Sequence, residues 1–367
     1  MRTLRINLEA IVHNLDVMRA RASGVKVMGV VKANAYGHGM IPVAKTLERA
    51  GVDYLGVADV SEALELREAG VTAPVLAWLH DPNDDFVSAV LHDVDLGVAN
   101  LEQLTKIAKA SALTSKVAKL HLKIDTGLGR NGSTEAEWAN LLAAVKQLGS
   151  SVEVVGIFSH LSTTSREDDL RQIEKFDEAV AEAKRQGVSF TLRHLTASDG
   201  SLSYPDAHYE MVRVGVALYG LDPFSTNRAA EYGLVPAMTA VTKISQLKNV
   251  PAGQGVSYNY LHRTKTATTL ALIPVGYAEG LPRAATGKAE VSINGERYPI
   301  LAQIAMDQFV LDVGDDEVKV GDEVVIFGDG SKGVPSADDL AAACGTINYE
   351  IVTRMGGRFK REFSGEG

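Results

Sequence analysis

Lys32 closes a short apolar run, Val27-Met28-Gly29-Val30-Val31, and is followed by Ala33-Asn34-Ala35-Tyr36-Gly37-His38-Gly39. A run of that length and β-branched character reads as a buried strand. The ammonium at its end is poorly hydrated and gives up its proton more readily than in water. Such an amine forms Schiff bases with carbonyl compounds. The stretch alone leaves a second reading open, a strand-end lysine that simply reaches solvent. Similar positions recur downstream. In HLKIDTGLGRNG, Lys123 and Asp125 close another apolar run, with Arg130 on a glycine-bounded loop. Other runs end in Ser159-His160, in His194 followed by Ser198, and in Arg213 followed by Gly215. These polar residues at the ends of the runs form a set.

The elements that must position these groups repeat. Strand-like runs at 25–32, 54–59, 74–79, 94–99, 119–125, 152–160, 190–197 and 211–219 alternate with helical spacing at 41–49, 60–69, 84–91, 101–110, 134–148 and 168–186, and more weakly near 200–208. Thr134-x-x-Glu137 is a capping box, and Gly51, Gly70, Gly149 and Gly187 stop helices. Eight such strands within about 200 residues are what a parallel (β/α)8 TIM barrel requires. A doubly wound sheet is the rival, but it gives no reason to stop at eight. A barrel places its working groups at the C-terminal ends of its strands, where the residues above fall. After residue 230 the texture changes to short strand-like runs at 241–247, 268–274, 289–293, 297–304, 309–312 and 318–327, with a helix near 336–343. Asn294-Gly295 is a hairpin signal. The expected class is therefore α/β, with a barrel over 9–230 and a mainly antiparallel β domain over 231–367, which an N-terminal strand within 1–8 could join.

The chain has 367 residues, enough for two cores, and a formal net charge of −9 with no basic stripe, which argues against a nucleic-acid partner. The single cysteine, Cys344, excludes a disulfide framework and suits a reducing compartment. The first 20 residues lack the apolar core of a signal peptide, and no apolar run is long enough to span a membrane. A cytoplasmic setting is expected. One charge needs an explanation. Lys123 lies on a strand covered on both faces, and Arg130 is a second cation nearby, so Lys123 either pairs with an acid or has had its amine chemically neutralised.

Together VVKANAYGHG (30–39), HLKIDTGLGR (121–130), the His160 strand end, HLTAS (194–198), RVGVALYG (213–220), GVSY (255–258) and IAMDQF (304–309) resemble the barrel-type, pyridoxal-phosphate-dependent alanine racemases, in order and over nearly the whole chain. The resemblance implies a cofactor, pyridoxal 5'-phosphate, held covalently by Lys32, with Tyr36, Ser198, Gly215 and Val216 at its phosphate. It places Arg213 at the pyridine nitrogen, where most such sites use an acid. An arginine gives that nitrogen no proton, so the ring stays a weak electron sink and side reactions such as transamination are suppressed. Racemisation of L-alanine to D-alanine then uses two bases: Lys32 on one face and, on the other, Tyr258 of the partner subunit, with His160 relaying to Arg213. Arg130 and the backbone at Met306 bind the substrate carboxylate. Lys123, Tyr277 and Asp307 support, Tyr277 at the entrance and Lys123 as a carbamate that holds Arg130. No metal is implied. The family forms head-to-tail homodimers with shared active sites and supplies D-alanine for peptidoglycan.

Three departures from the family pattern stand out. Gln303 replaces an arginine in the access channel, Gly357 replaces a phosphate-contacting tyrosine, and Ala197 replaces an asparagine. Three rivals share parts of the resemblance. A non-catalytic pyridoxal-phosphate homeostasis protein lacks the second domain, and a basic amino-acid decarboxylase wants an acid where Arg213 stands and a cysteine where Ala305 stands. A serine or broad-specificity racemase differs in pocket size, which sequence does not reveal.

Overall fold

The computed structural model describes residues 2–22, 24–331 and 333–365, in two compact units. One unit comprises Leu15–Ala35 and Met40–Gly215. Its sheet has eight strands in the order Leu192–His194, Val152–Phe158, Ala118–Lys123, Asp95–Val98, Val75–Ala77, Tyr54–Val57, Lys26–Val30 and Met211–Val214. Every neighbouring pair is parallel. The Arg213 amide donates to the Thr196 carbonyl at 3.0 Å and joins the two edges, so the sheet closes into the expected barrel. The strands from Tyr54, Val75 and Asp95 are buried throughout, which parallel strands covered on both faces require. Helices follow, among them Met40–Arg49, Val60–Glu68, Leu101–Thr114, Glu135–Leu148 and Arg166–Arg185. Glu137 accepts from the Thr134 amide, the half of the capping box in which the glutamate reaches back, and the Thr134 hydroxyl also donates to it.

Inside the barrel, Met28, Tyr54, Leu76, Val155, Leu192 and Met211 pack as one apolar cluster with Trp78. They come from six of the eight strands. The other two strands contribute polar groups, Asp95 and His121, both buried.

The second unit comprises Met1–Asn14, Tyr36–Gly39 and Val216–Gly367. Its larger sheet runs Glu296–Pro299, Glu290–Ile293, Glu323–Phe327, Met238–Lys243, Thr3–Asn7, Lys360–Ser364, antiparallel except for the last pair. A three-stranded sheet holds Gln246–Val250, Thr268–Ile273 and Phe309–Gly314, and a short ribbon pairs Gly255–Val256 with His262–Arg263. Two expectations change here. The run at 241–247 is two strands in different sheets, because the chain turns at Ile244–Ser245 to leave one ladder for the other. The run at 297–304 is paired only as far as Pro299. The helix Asn348–Arg354 and the final strand carry no period strong enough to read in advance. Among the described residues no helix is long and apolar enough to cross a membrane.

Candidate functional site

The chain leaves the first barrel strand through a left-handed turn. Ala33, Asn34, Ala35 and Tyr36 have φ of 52°, 55°, 53° and 52°. Each L-residue in this conformation costs roughly 1–2 kcal/mol, so surrounding groups must hold it. The Ala33 amide donates to Glu62 Oε1 at 2.6 Å, the Met40 amide to Asn34 Oδ1 at 2.8 Å, and the Ala35 amide to the Val31 carbonyl at 2.8 Å. Strain of this kind gathers at functional sites, and here it starts one residue after Lys32.

Burial pushes the Lys32 amine below its ordinary value; Arg130 and Arg213 add to the shift and Glu62 opposes it. Its Nζ lies 5.9 Å from the centre of the Trp78 ring. Trp78 was not singled out in the sequence. Two glycines admit it: a Cβ on Gly56 would meet its ring at 2.6 Å, and one on Gly97 its Cα at 2.9 Å. Lys123 is driven to about 7, first by burial and then by Arg213 and Arg130. Its Nζ sits 5.3 Å from the centre of the Phe158 ring, and among the described residues no acid pairs with it. Asp125 opposes the shift. Lys32, Lys123, Arg130, His160 and Arg213 thus form one electrostatic cluster at the strand ends, with Arg130 exposed.

Arg213 is buried, and burial lowers it to about 10 while Asp199 opposes the shift. Its Nη1 donates to His194 O at 2.8 Å and His194 Nδ1 at 3.1 Å. Its Nη2 donates to Ser159 O at 2.7 Å, Leu195 O at 2.9 Å and His160 Nδ1 at 3.1 Å. These acceptors all lie on the two Nη groups, and among the described residues none meets Nε. An arginine only donates, so His160 Nδ1 is bare and the ring proton is on Nε2. Burial, then Arg213, push His160 well below its ordinary value, so it is neutral. Nearby, the Gly215 amide donates to Ser198 Oγ at 3.1 Å, so the serine and glycine singled out for anion binding are neighbours.

The second unit carries the remaining candidates. Tyr258 is 67% exposed, beside Tyr260 and Leu261, also exposed. Ser257, Asn259 and Tyr260 have φ of 57°, 59° and 45°. Ser257 Oγ anchors the loop on the Gln303 carbonyl at 2.8 Å. The guanidinium of Arg283 lies against the Gln303 side chain. The Tyr277 amide donates to Ala305 O at 3.2 Å and the Ala278 amide to Met306 O at 3.0 Å, which ties the Tyr277 and Met306 loops together. Arg358 braces both, donating to Asp307 Oδ1 at 2.7 Å and to the buried Glu279. Gly357 has φ 58°, and a Cβ there would lie 2.4 Å from the Ala278 carbonyl. The backbone approach therefore excludes the family's tyrosine at this position. Tyr36 packs its ring 4.9 Å from that of Tyr219, and burial raises its phenol. Val216 is buried at the start of a 3-10 turn, Val216–Tyr219.

The polar interior of the barrel includes residues the sequence reading passed over. Asp95 accepts from Tyr54 Oη at 3.1 Å and lies 3.2 Å from His121 Nε2, and His121 Nδ1 is 2.8 Å from His194 Nε2. The available signal was an acid in the apolar strand run VDLGVA, where an unpaired charge would be costly.

Known proteins resemble this chain across both units. The family description "Alanine racemase, N-terminal domain" matches residues 6–223, and "Alanine racemase, C-terminal domain" matches residues 237–363. A protein named alanine racemase from Frankia casuarinae is 46% identical over 364 residues, 98% of this chain and 95% of that one. One from Salinispora tropica is also 46% identical, over 99% and 98%. The crystal structure of alanine racemase from D-cycloserine-producing Streptomyces lavendulae superposes with a TM-score of 0.96 at 40% identity, covering 99% of this chain and 97% of that one. The alanine racemase of Streptomyces coelicolor gives 0.97 at 38%, covering 100% and 98%. With family profiles across both units, relatives near half identity over their whole length and superimposable solved structures, the chain belongs to the alanine racemase family of isomerases.

Proposed function

We propose that this protein interconverts L- and D-alanine by a two-base mechanism with pyridoxal 5'-phosphate, Lys32 serving one face of the substrate carbon and Tyr258 of the partner subunit the other. The residues present fit that cofactor. A lysine amine of lowered proton affinity suits covalent attachment, a cluster of cations suits an anionic group, and the Arg213 Nε–H is a donor without a protein acceptor among the described residues. Lys32 would hold the cofactor, with Tyr36, Ser198, Gly215 and Val216 at its phosphate and Arg213 at the ring nitrogen. When bound, the cofactor stabilises negative charge on the substrate α-carbon.

With substrate in place, the Lys32 amine would take or return the proton on its face. Its lowered proton affinity makes the unprotonated amine more available than that of an ordinary lysine. Tyr258 does the same on the opposite face. A phenol with an ordinary value near 10 needs help to lose a proton, and the Nε2–H of neutral His160 is a donor suited to a phenolate. Arg130 and the Met306 backbone orient the substrate carboxylate, Asp307 and Arg358 hold the Met306 loop, and Tyr277 stands at the entrance. The amine of Lys123, near 7, is neutral often enough to take up CO₂ as a carbamate, an anion able to hold Arg130. The exposed Tyr258, Tyr260, Leu261, Tyr277 and Met306 support a head-to-tail homodimer in which the partner covers them. D-alanine made in the cytoplasm would supply peptidoglycan.

The observation that carries this reading is the half-buried, down-shifted Lys32 amine within the electrostatic reach of Arg213, whose Nη groups are already engaged. Purified protein incubated with pyridoxal phosphate and L-alanine or L-serine tests it. D-alanine as the main product supports the proposal, D-serine at comparable rate makes the protein a broad racemase, and CO₂ or no change overturns it.

A further inference from the structure

We propose that Asp95, acting through His121 and His194, fixes the direction of a buried hydrogen-bond chain that keeps Arg213 a donor toward the cofactor's ring nitrogen and denies that nitrogen a proton. The inference rests on the place given to Arg213 above and concerns residues to which no role has been assigned.

The chain is defined at both ends. Arg213 has only hydrogens to offer, so His194 Nδ1, 3.1 Å from Nη1, is an acceptor. The proton of His194 is therefore on Nε2, directed at His121 Nδ1 at 2.8 Å. That makes His121 Nδ1 an acceptor too, and places its proton on Nε2, 3.2 Å from Asp95 Oδ2. The carboxylate terminates the chain as an acceptor and receives Tyr54 Oη at 3.1 Å on the same oxygen. Every proton points away from Arg213. If Arg213 gave a proton to the ring nitrogen, His194 would have none to pass back. The reverse arrangement, with each proton one step nearer Arg213, requires a protonated Asp95. Burial, then His121 and Arg213, push His194 well below its ordinary value, so it does not carry a charge in place of the chain. Charged groups that act on the chain from around it include Lys123 on His194, Arg67 on Asp95 and Glu153 on Tyr54.

The barrel is shaped to hold this chain. Asp95, His121 and His194 are almost wholly buried, at 2%, 0% and 0% exposure. A Cβ on Gly156 would meet His121 Nδ1 at 2.8 Å, so that glycine makes room for the imidazole. The Phe158 ring stacks on His194 with centroids 4.8 Å apart and planes 10° from parallel. From the other strands the interior is filled by apolar side chains, together with the ring of Tyr54, so three buried polar groups joined in one chain call for a reason beyond packing.

The test combines ¹⁵N-histidine NMR with kinetics on the protein, both free of and loaded with pyridoxal phosphate. In the unaltered protein His121 and His194 should both appear as neutral Nε2–H tautomers across the neutral pH range. In Asp95→Asn the amide can donate to His121, so a second tautomer should appear at His194. Racemisation should slow by about tenfold with KM changed less than about twofold, as when a group behind a working residue is altered. The proportion of transamination per turnover should rise. Tyr54→Phe removes a neighbouring buried hydroxyl but keeps the acceptor, and should leave both tautomers as they were. An Nδ1–H or charged His194 in the unaltered protein overturns the proposal, and needs no variant to fold. Unchanged tautomers and by-product ratio in a folded Asp95→Asn overturn it as well. Absence of alanine racemisation by the unaltered protein would instead strike the functional reading of Arg213.

Discussion

Lys32 and Tyr258 sit in loops built alike and furnished differently. Both are flanked by non-glycine residues in left-handed backbone, Ala33 to Tyr36 in one case and Ser257, Asn259 and Tyr260 in the other. The first loop is held by Glu62 and Asn34 and enters a cluster of cations whose burial and repulsion lower the Lys32 amine. The second is tied down through Ser257 and leaves its phenol exposed among other exposed apolar groups. The amine is tuned by its own unit. The phenol is only aimed, and its surroundings have to come from whatever covers it. That contrast is the physical reason to expect a partner subunit.

The comparison can be broken or sharpened experimentally, beginning with the largest effect. Lys32→Ala should lower alanine racemisation by about 10⁴-fold or more in both directions and abolish the absorbance of the protein-bound cofactor; a persisting band would mean another lysine carries it. Tyr258→Phe should cost about 10²–10³-fold and act unequally on the two substrate enantiomers, as seen in their hydrogen isotope effects. Equal loss on both would remove the two-base assignment. The same variant should leave the cofactor absorbance intact, because Tyr258 tunes nothing in the Lys32 loop.

A third test reads the charge of the cluster. The neutral form of the Lys123 amine prevails above about 7 and the protonated form below it. A carbamate there should thus be present above pH 7 and lost as pH falls through that value. Protein kept in ¹³C-bicarbonate should show one carbamate resonance at high pH that is absent in Lys123→Gln, and its disappearance should be accompanied by reduced activity. The smallest effect concerns backbone strain. Ala33→Gly should stabilise the protein by about 0.5–1 kcal/mol, since the relief of left-handed strain exceeds the added chain entropy. Asn259→Gly should change stability by less, because asparagine tolerates that conformation. Thermal unfolding of the pair measures the difference.

Much of this was legible beforehand for identifiable reasons. The eight barrel strands read clearly because parallel strands buried on both faces are continuous apolar runs, as in Lys26–Val30 and Tyr54–Val57. The second unit read less well. Its strands are half-exposed, and the turn at Ile244–Ser245 carries no glycine or proline to mark it. The departure at Gly357 could be read from the sequence, but the carbonyl of Ala278 that leaves no room for a side chain there could not. Trp78 and Asp95 went unnoticed because each is a single residue in an ordinary strand run.

Local sequence therefore determined the order of strands and helices, the placement of Lys32, Lys123, His160 and Arg213 at strand ends, and the family they resemble, because periodicity and turn chemistry act over a few residues. Only the tertiary structure decided what each group is next to: that Lys123 makes no ion pair among the described residues, that both Nη groups of Arg213 are engaged, and that Asp95 reaches it through two histidines. Hydrogen bonds and charge repulsion act across space, between residues that the chain separates by tens of positions.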